Sequence, residues 1–283
     1  MKKNIRLTLL LTCLIMLLPN MSKAQDNSIR VASFNLRLDT SNDGINAWPN
    51  RKGFVNHLIQ YHDFDIIGTQ EGYIHQIKDI LTLPEYAYYG KGRDDGKEKG
   101  EHSAIIYRKD RFVAQKSGDF WLREDPSKPG LGWDATCCNR IASWVKFLDK
   151  KTNKEFYFFN VHFDHQGVIA RKESGKLMIQ KIKEIAGDSP VVLTGDFNSA
   201  PDSEQMVGIA NFLNDTYKVS KLPPYGPVGT HTGFKFTAPL DGRIDYVFTS
   251  KDFEVLKYAV LTDFKEQRYP SDHMPVVADI ELK

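Results

Sequence analysis

Cysteine is scarce in this chain. There are three in 283 residues: Cys13 near the start, and the adjacent Cys137 and Cys138. Neighbouring cysteines close a strained ring if they bridge, so no disulfide framework is expected. The pair reads as two small buried apolar residues, and two thiols without a third ligand nearby make a poor zinc site. Strong net charge is missing as well, with 38 Lys and Arg against 36 Asp and Glu. Phosphate contacts dominate nucleic-acid affinity, so any such binding must come from a local patch. Long apolar runs are absent after the first residues, and there are no repeats and no low-complexity linker.

What is present begins with a leader. Lys2, Lys3 and Arg6 are basic, Leu7 to Leu18 is largely apolar, and Ser22-Lys23-Ala24 offers small residues where a signal peptidase reads. This pattern is a secretory signal peptide and too short for a stable membrane span. Residues 1–24 are therefore expected to be removed, leaving a secreted or periplasmic chain with no transmembrane span. The mature chain, 25–283, keeps 34 basic residues against 36 acidic ones, and its size suits one layered α/β domain. A monomer is the expectation.

Strand-like and helix-like segments alternate along the chain. Strand patterns occupy 29–36, 64–68, 102–107, 141–148, 156–163, 191–194, 244–249, 253–261 and 276–282. Apolar residues at helical spacing occupy 50–62, 73–81 and 169–186, and Ser203 is an N-cap candidate for a helix through Leu213. Two loops stand out: 91–100 is dense in charge, and 221–232 is rich in Pro and Gly. Such loops either connect elements in solvent or form the rim of a cleft.

The strands end in polar residues. Asn35 follows Val31-Ala32-Ser33-Phe34, and Glu71 follows IIGTQ. Asn160 and His162 lie on the strand at 156–163, and Asp196 and Asn198 follow Val191–Thr194. Asp245 is in RIDYVF, and Asp272 and His273 precede the last strand. An apolar strand has no local reason to carry charge, because burying an unpaired carboxylate is costly. Their recurrence suggests one shared site. Oxygen donors, imidazoles and amides without thiolates suit Mg²⁺, with Mn²⁺ or Ca²⁺ as alternatives.

These pieces together resemble the endonuclease/exonuclease/phosphatase superfamily of metal-dependent, DNase I-like phosphoesterases. The matching segments are SFNLR (33–37), IIGTQE (66–71), GEHSAIIYRKDRF (100–112), NVHFDH (160–165), GDFNSAPDS (195–203), RIDYVF (243–248) and SDHMPV (271–276). The resemblance implies an α/β four-layer sandwich, in which two mixed β-sheets pack face to face with helices outside. The alternation of elements is compatible with that fold, but equally with a doubly wound sheet.

By resemblance, Glu71 and Asn35 would hold the metal, with Asp272 near it or its waters. Asp196 would orient or deprotonate the attacking water, and Asn198 would hold a phosphoryl oxygen. His273 would donate to the phosphate, supported by Asp245. His162 falls where DNase I-like members place a second catalytic histidine, and Glu101 where they place its carboxylate partner. Asn160 joins the substrate-binding set. Arg140 is either a phosphate contact or half of a surface ion pair. His102 and His165 read as loop or supporting histidines, and Trp133 and Trp144 as packing. The implied reaction is in-line attack of water on a phosphorus ester. Two carboxylate-supported histidines suit a diester, and nucleic acid is the first expectation. A lipid-headgroup or sugar phosphodiester, or a phosphomonoester, stays open. A non-catalytic binding protein on the same scaffold is the remote alternative, since no key position is missing.

Overall fold

A computed structural model describes residues 27–283. The expected leader, 1–24, lies outside the described residues. The chain opens with β1 (Ile29–Asn35), α1 (Trp48–Tyr61), β2 (Ile66–Gln70), α2 (Ile74–Ile80), β3 (Tyr86–Tyr89) and β4 (Ile105–Arg108). It continues with β5 (Phe112–Trp121), β6 (Ile141–Asp149), β7 (Lys154–His162), α3 (Val168–Ala186), β8 (Val191–Asp196) and α4 (Glu204–Phe212). It ends with β9 (Asn214–Asp215), α5 (Thr216–Val219), β10 (Asp245–Thr249), β11 (Phe253–Val260) and β12 (Val276–Leu282).

Two six-stranded sheets result, one in the order β11-β12-β1-β2-β4-β3 and the other β5-β6-β7-β8-β10-β9. Both are mixed: β1–β2 and β7–β8 pair in parallel, and β1–β12 and β8–β10 antiparallel. Val31, Ile66, Phe156, Phe158, Val192, Val247 and Val276 form the core between the sheets. On the outer face of the second sheet, Met178 and Ile182 of α3 and Met206 and Ile209 of α4 cover Phe159, Leu193 and Phe248. On the outer face of the first, Val55, Leu58 and Ile59 of α1 and Ile80 of α2 cover Phe34, Ile67 and Ile106. These are the four layers of a DNase I-like sandwich.

Side chains alternate across a strand, so one inward residue fixes the rest. With Val31, Phe158, Val192 and Val247 inward, Asn35, Asn160, His162, Asp196 and Asp245 also face the gap between the sheets. Toward one end of the gap the inward residues turn polar. There the sheets approach closely: a Cβ at Gly68 would overlap the side chains of Thr194 and Asn160. Glycine in IIGTQE is therefore a packing requirement.

The expected strands and helices fall on observed elements, while β3, β5 and the two-residue β9 have no counterpart among the strand patterns of the sequence. β5 is an edge strand with a register shift at Ala114–Lys116 and several exposed residues, so it lacks clean alternation. Ser203 does stand at the N-cap of α4, but its hydroxyl donates to Ala200 O at 2.7 Å instead of capping the helix.

Candidate active site

The rim of the gap is built by register. Asp196 pairs with His162 on one side and with Asp245 on the other, while Asn35 lies opposite Gln70, one residue before Glu71. Asp272 and His273 enter from the loop before β12, the strand that pairs antiparallel with β1. Stretches from both sheets and their loops thus converge on a cavity of about 460 Å³ lined by Arg37, Glu71, Arg93, Glu101, Arg140, His162, Asp196, Asn198, His231, Asp272 and His273, among others. Three of these, Arg37, Glu71 and Asn198, hold positive φ angles of 57°, 63° and 45°. Left-handed backbone in non-glycine residues costs energy and clusters at functional sites.

His273 lies between two carboxylates. Its Nδ1 is 2.9 Å from Asp245 Oδ2 and its Nε2 is 3.8 Å from Asp196 Oδ2. Burial opposes the imidazolium, but Asp245 and Asp196 outweigh it and hold the pKa well above the usual histidine range. Thr230 Oγ1 donates to Asp245 Oδ2 at 2.6 Å, fixing that carboxylate. Asp196 is pushed up to about 7 by burial and by Asp245, although His273, Asn198 and Asn35 pull it down. Its Oδ1 accepts from Asn198 N at 2.9 Å, and its Oδ2 from Asn35 Nδ2 at 3.0 Å. Asn35 Nδ2 also reaches Glu71 Oε1 at 3.0 Å. Burial pushes Glu71 up, but His273, Asn35 and the Leu38 N–H together hold it below the ordinary value.

The second histidine differs from its expected arrangement. His162 Nδ1 is 3.9 Å from Glu101 Oε2, beyond hydrogen-bond distance. Glu101 is bound instead by Arg93 Nη1, a residue of the 91–100 loop. The loop folds back on itself, with Arg93 N donating to Glu101 O at 3.0 Å, so Arg93 outcompetes the imidazole. His162 Nε2 takes the Asn198 amide at 3.1 Å. Burial, then Arg140 and Arg93, hold its pKa well below 6.5, so His162 is neutral. His162 thus lies between two carboxylates, 3.9 Å from Glu101 Oε2 and 3.5 Å from Asp196 Oδ2, without a hydrogen bond to either.

Asn160 does not reach the cavity. It lies two residues deeper on the same face as His162, where the sheets already touch. Its amide donates to Thr69 O at 2.8 Å and Ala104 O at 3.0 Å, and accepts from Gln70 Nε2 at 2.7 Å and Thr194 Oγ1 at 3.0 Å. Every hydrogen bond it makes ties one sheet to the other or to a neighbouring strand, so it is a structural crosslink and not a substrate group. Arg140 is buried, not at the surface. Its Nη2 donates to His165 Nδ1 at 2.7 Å and its Nε points to Asp164 Oδ2 at 3.4 Å, yet it still lines the cavity.

Sequence reasoning passes over Arg37, Arg93 and His231. Arg37 forms a two-bonded pair with Asp43 and lies 3.8 Å from Asp272 and 4.0 Å from Glu71, between the two carboxylates. The His231 ring packs 4.7 Å from that of His273. Arg93 and His231 come from the two loops flagged by composition, and Arg37 from the SFNLR segment, so a signal exists for the segments but not for the residues. The cysteines are also corrected. Cys137 and Cys138 join in a vicinal disulfide, and they line the cavity rather than being buried in the core.

The donor set fits a hard divalent cation. Carboxylate oxygens of Glu71 and Asp196 lie within 4.8 Å of each other, and the Asn35 amide links the two carboxylates at 3.0 Å each. Burial raises the pKa of Asp272, and neighbouring Glu71 adds to this, so a cation placed among these groups would relieve their repulsion.

The sequence profile of the Endonuclease/Exonuclease/phosphatase family matches residues 32–273. The chain belongs to that family. Among solved structures, a family member from Bacteroides thetaiotaomicron is 44% identical, with a TM-score of 0.87 over 90% of this chain and 98% of that one. The mannosyl-6-phosphatase Bt3783 of the same organism is 43% identical, with a TM-score of 0.85 over 89% of this chain and 99% of that one. The human Nocturnin catalytic domain is 21% identical with a TM-score of 0.72, a likeness of fold, over 91% of this chain and 94% of that one. Members of this family hydrolyse phosphoester bonds and generally depend on a divalent metal. Among the described residues, no helix is long and apolar enough to cross a membrane.

Proposed function

We propose that this chain is an exported, divalent-metal-dependent phosphatase that removes phosphate from a sugar phosphate monoester. The observation that carries this reading is the lining of the cavity. It has three arginines and four histidines, but none of its lining residues is Phe, Tyr or Trp. Proteins that bind single-stranded nucleic acid stack bases on aromatic rings. A cavity of about 460 Å³ is of small-ligand size. The likeness to a mannosyl-6-phosphatase at 43% identity supports the same substrate class, so the monoester replaces nucleic acid as the preferred reading.

Asn35, Glu71 and Asp272 would hold Mg²⁺ or Mn²⁺, which would neutralise phosphate charge and charge developing on the leaving oxygen. The other residues divide the remaining work. Asp196, with a pKa near operating pH, accepts a proton from the attacking water. The His273 imidazolium donates a hydrogen bond to a phosphoryl oxygen, and the Asn198 amide, which donates to His162 Nε2 and Phe163 O at 3.1 Å each, turns one N–H from Phe163 O to another phosphoryl oxygen. Neutral His162 keeps the Asn198 amide in place through its Nε2. Arg140, cationic and buried at the wall, supplies fixed positive charge toward the phosphate.

The test is phosphate release by the mature chain, residues 25–283, with Mg²⁺ or Mn²⁺. The panel holds hexose 6-phosphates, an aryl monoester, an aryl diester, single-stranded DNA and RNA. Chelation by EDTA and the Asp196→Asn variant are controls. Metal-dependent turnover of the hexose phosphates, at least about 100-fold lower in Asp196→Asn, is expected. Cleavage of nucleic acid with no turnover of the sugar monoesters would overturn the reading.

A further inference from the structure

We infer that the Cys137–Cys138 disulfide is a substrate platform, the surface on which the ring of the sugar phosphate rests. The inference builds on the phosphatase reading above and names what recognises the non-phosphate half of the substrate. The two sulfurs are bonded to each other, and both residues line the same cavity as Arg140, His162 and His273. Cys137 is exposed and Cys138 half-buried, so the pair is presented at the wall and not lost in the core.

The rest of the lining gives the disulfide its role. A pyranose has hydroxyl edges that need polar partners and a C–H face that needs an apolar one. Aromatic rings commonly serve that face, and none lines this cavity. Apart from the cysteines, its apolar lining is limited to Leu38 and Ile244. Sulfur is soft and polarisable, and bonding two adjacent cysteines removes both thiol hydrogens and leaves a compact apolar surface.

The segment carrying the disulfide lacks regular secondary structure but is anchored on both sides. Upstream, the Asp134 carboxylate accepts the Ile169 and Ala170 N–H groups at 3.0 and 2.7 Å, at the start of α3. Thr136 Oγ1 donates to Gln166 Oε1 at 2.6 Å. Downstream, Asn139 Nδ2 donates to Asp94 Oδ1 at 3.3 Å, and Arg140 O accepts Leu122 N at 2.8 Å. A ring closed between these anchors is pre-organised, so little ordering is needed when the substrate binds.

The experiment compares three forms of the mature protein with Mg²⁺: oxidised wild type, wild type reduced by a phosphine, and Cys137→Ser/Cys138→Ser. Peptide mass mapping reports the redox state, and thermal melts report folding. If the double variant does not fold, the reduced wild type carries the comparison. For each form, kcat and KM are measured with a hexose 6-phosphate, and inorganic phosphate is titrated as a competitive inhibitor. Loss of the platform should raise KM about tenfold, the factor carried by ~50 Å² of apolar contact. The kcat and the phosphate inhibition constant should stay within about twofold, as expected when only the hold on the sugar ring weakens. An unchanged KM would overturn the platform, and so would free thiols in protein purified without reductant. A parallel rise in KM and in the phosphate inhibition constant would overturn it too, since the disulfide would then merely position Arg140. Oxidised wild type that turns over no sugar phosphate would overturn the phosphatase reading itself.

Discussion

Residue 243 lies two positions before Asp245, and its side chain anchors the start of β10. Arg243 Nη1 and Nη2 donate to Asp215 Oδ1 and Oδ2 at 2.8 and 2.6 Å, with the two side chains only 3% and 4% exposed. The guanidinium also lies over Tyr217 and Tyr246, 4.6 and 4.4 Å from their ring centroids. Asp215→Asn keeps the side-chain shape and an oxygen for the Tyr217 N–H that Asp215 caps. It removes only the charge, leaving a buried guanidinium uncompensated. Breaking a buried pair from one side costs about 3–5 kcal/mol. Arg243→Met should cost a similar amount, plus roughly 0.5–1 kcal/mol for each tyrosine ring left without its cation. The double variant leaves no buried charge and should cost less than the two singles together by about 3 kcal/mol or more. A single loss of this size would lower the melting temperature by roughly 10 °C in a domain of this length. Equilibrium urea unfolding, followed by fluorescence of the four tryptophans, measures all three variants. The reasoning fails if Asp215→Asn costs less than about 1 kcal/mol, the worth of a surface pair, or if the two losses simply add.

Three further outcomes are expected. Burial raises Glu101 from its ordinary 4.5 to about 7 against the pull of Arg93, so the folded state holds a proton that the unfolded chain releases. Wild-type stability relative to Glu101→Gln should therefore fall by roughly 3 kcal/mol as pH rises from about 4 to about 8, and a pH-independent difference in urea unfolding would contradict this. Asn160→Ala should destabilise by at least about 3 kcal/mol, because four buried partners lose their bonds, while KM of the folded fraction stays unchanged; a raised KM with intact stability would return Asn160 to the substrate site. Glu71→Gln should raise the Mg²⁺ concentration needed for half-maximal activity, and an identical metal titration in both proteins would remove Glu71 from the ligand set.

Much of the site is legible in one dimension because strand alternation is a local property. In β8, Val192, Thr194 and Asp196 must share a face, and in β10 Asp245 and Val247 must do so. Polar residues at the ends of apolar strands therefore mark Asn35, Asp196 and Asp245 without any knowledge of the pairing. Depth along the strand is not local. Asn160 and His162 share a face and differ by two positions, yet one is a crosslink and the other meets the cavity, because the opposite sheet decides where the gap opens. Glu101 is a similar case. The resemblance places it near His162, but a loop turn gives its carboxylate to Arg93.

By itself the sequence determined the alternating α/β elements, the apolar stripes of α1, α2 and α3, and the family-like segments that carry the rim residues. Each of these follows from residue type and short-range period. Only the tertiary structure decided that the strands divide into two sheets, that an exposed edge strand such as β5 completes one of them, and that Arg37, Arg93, His231 and the bonded cysteines join the cavity wall. Those outcomes depend on pairings and loop paths between residues distant in the chain, which no local pattern encodes.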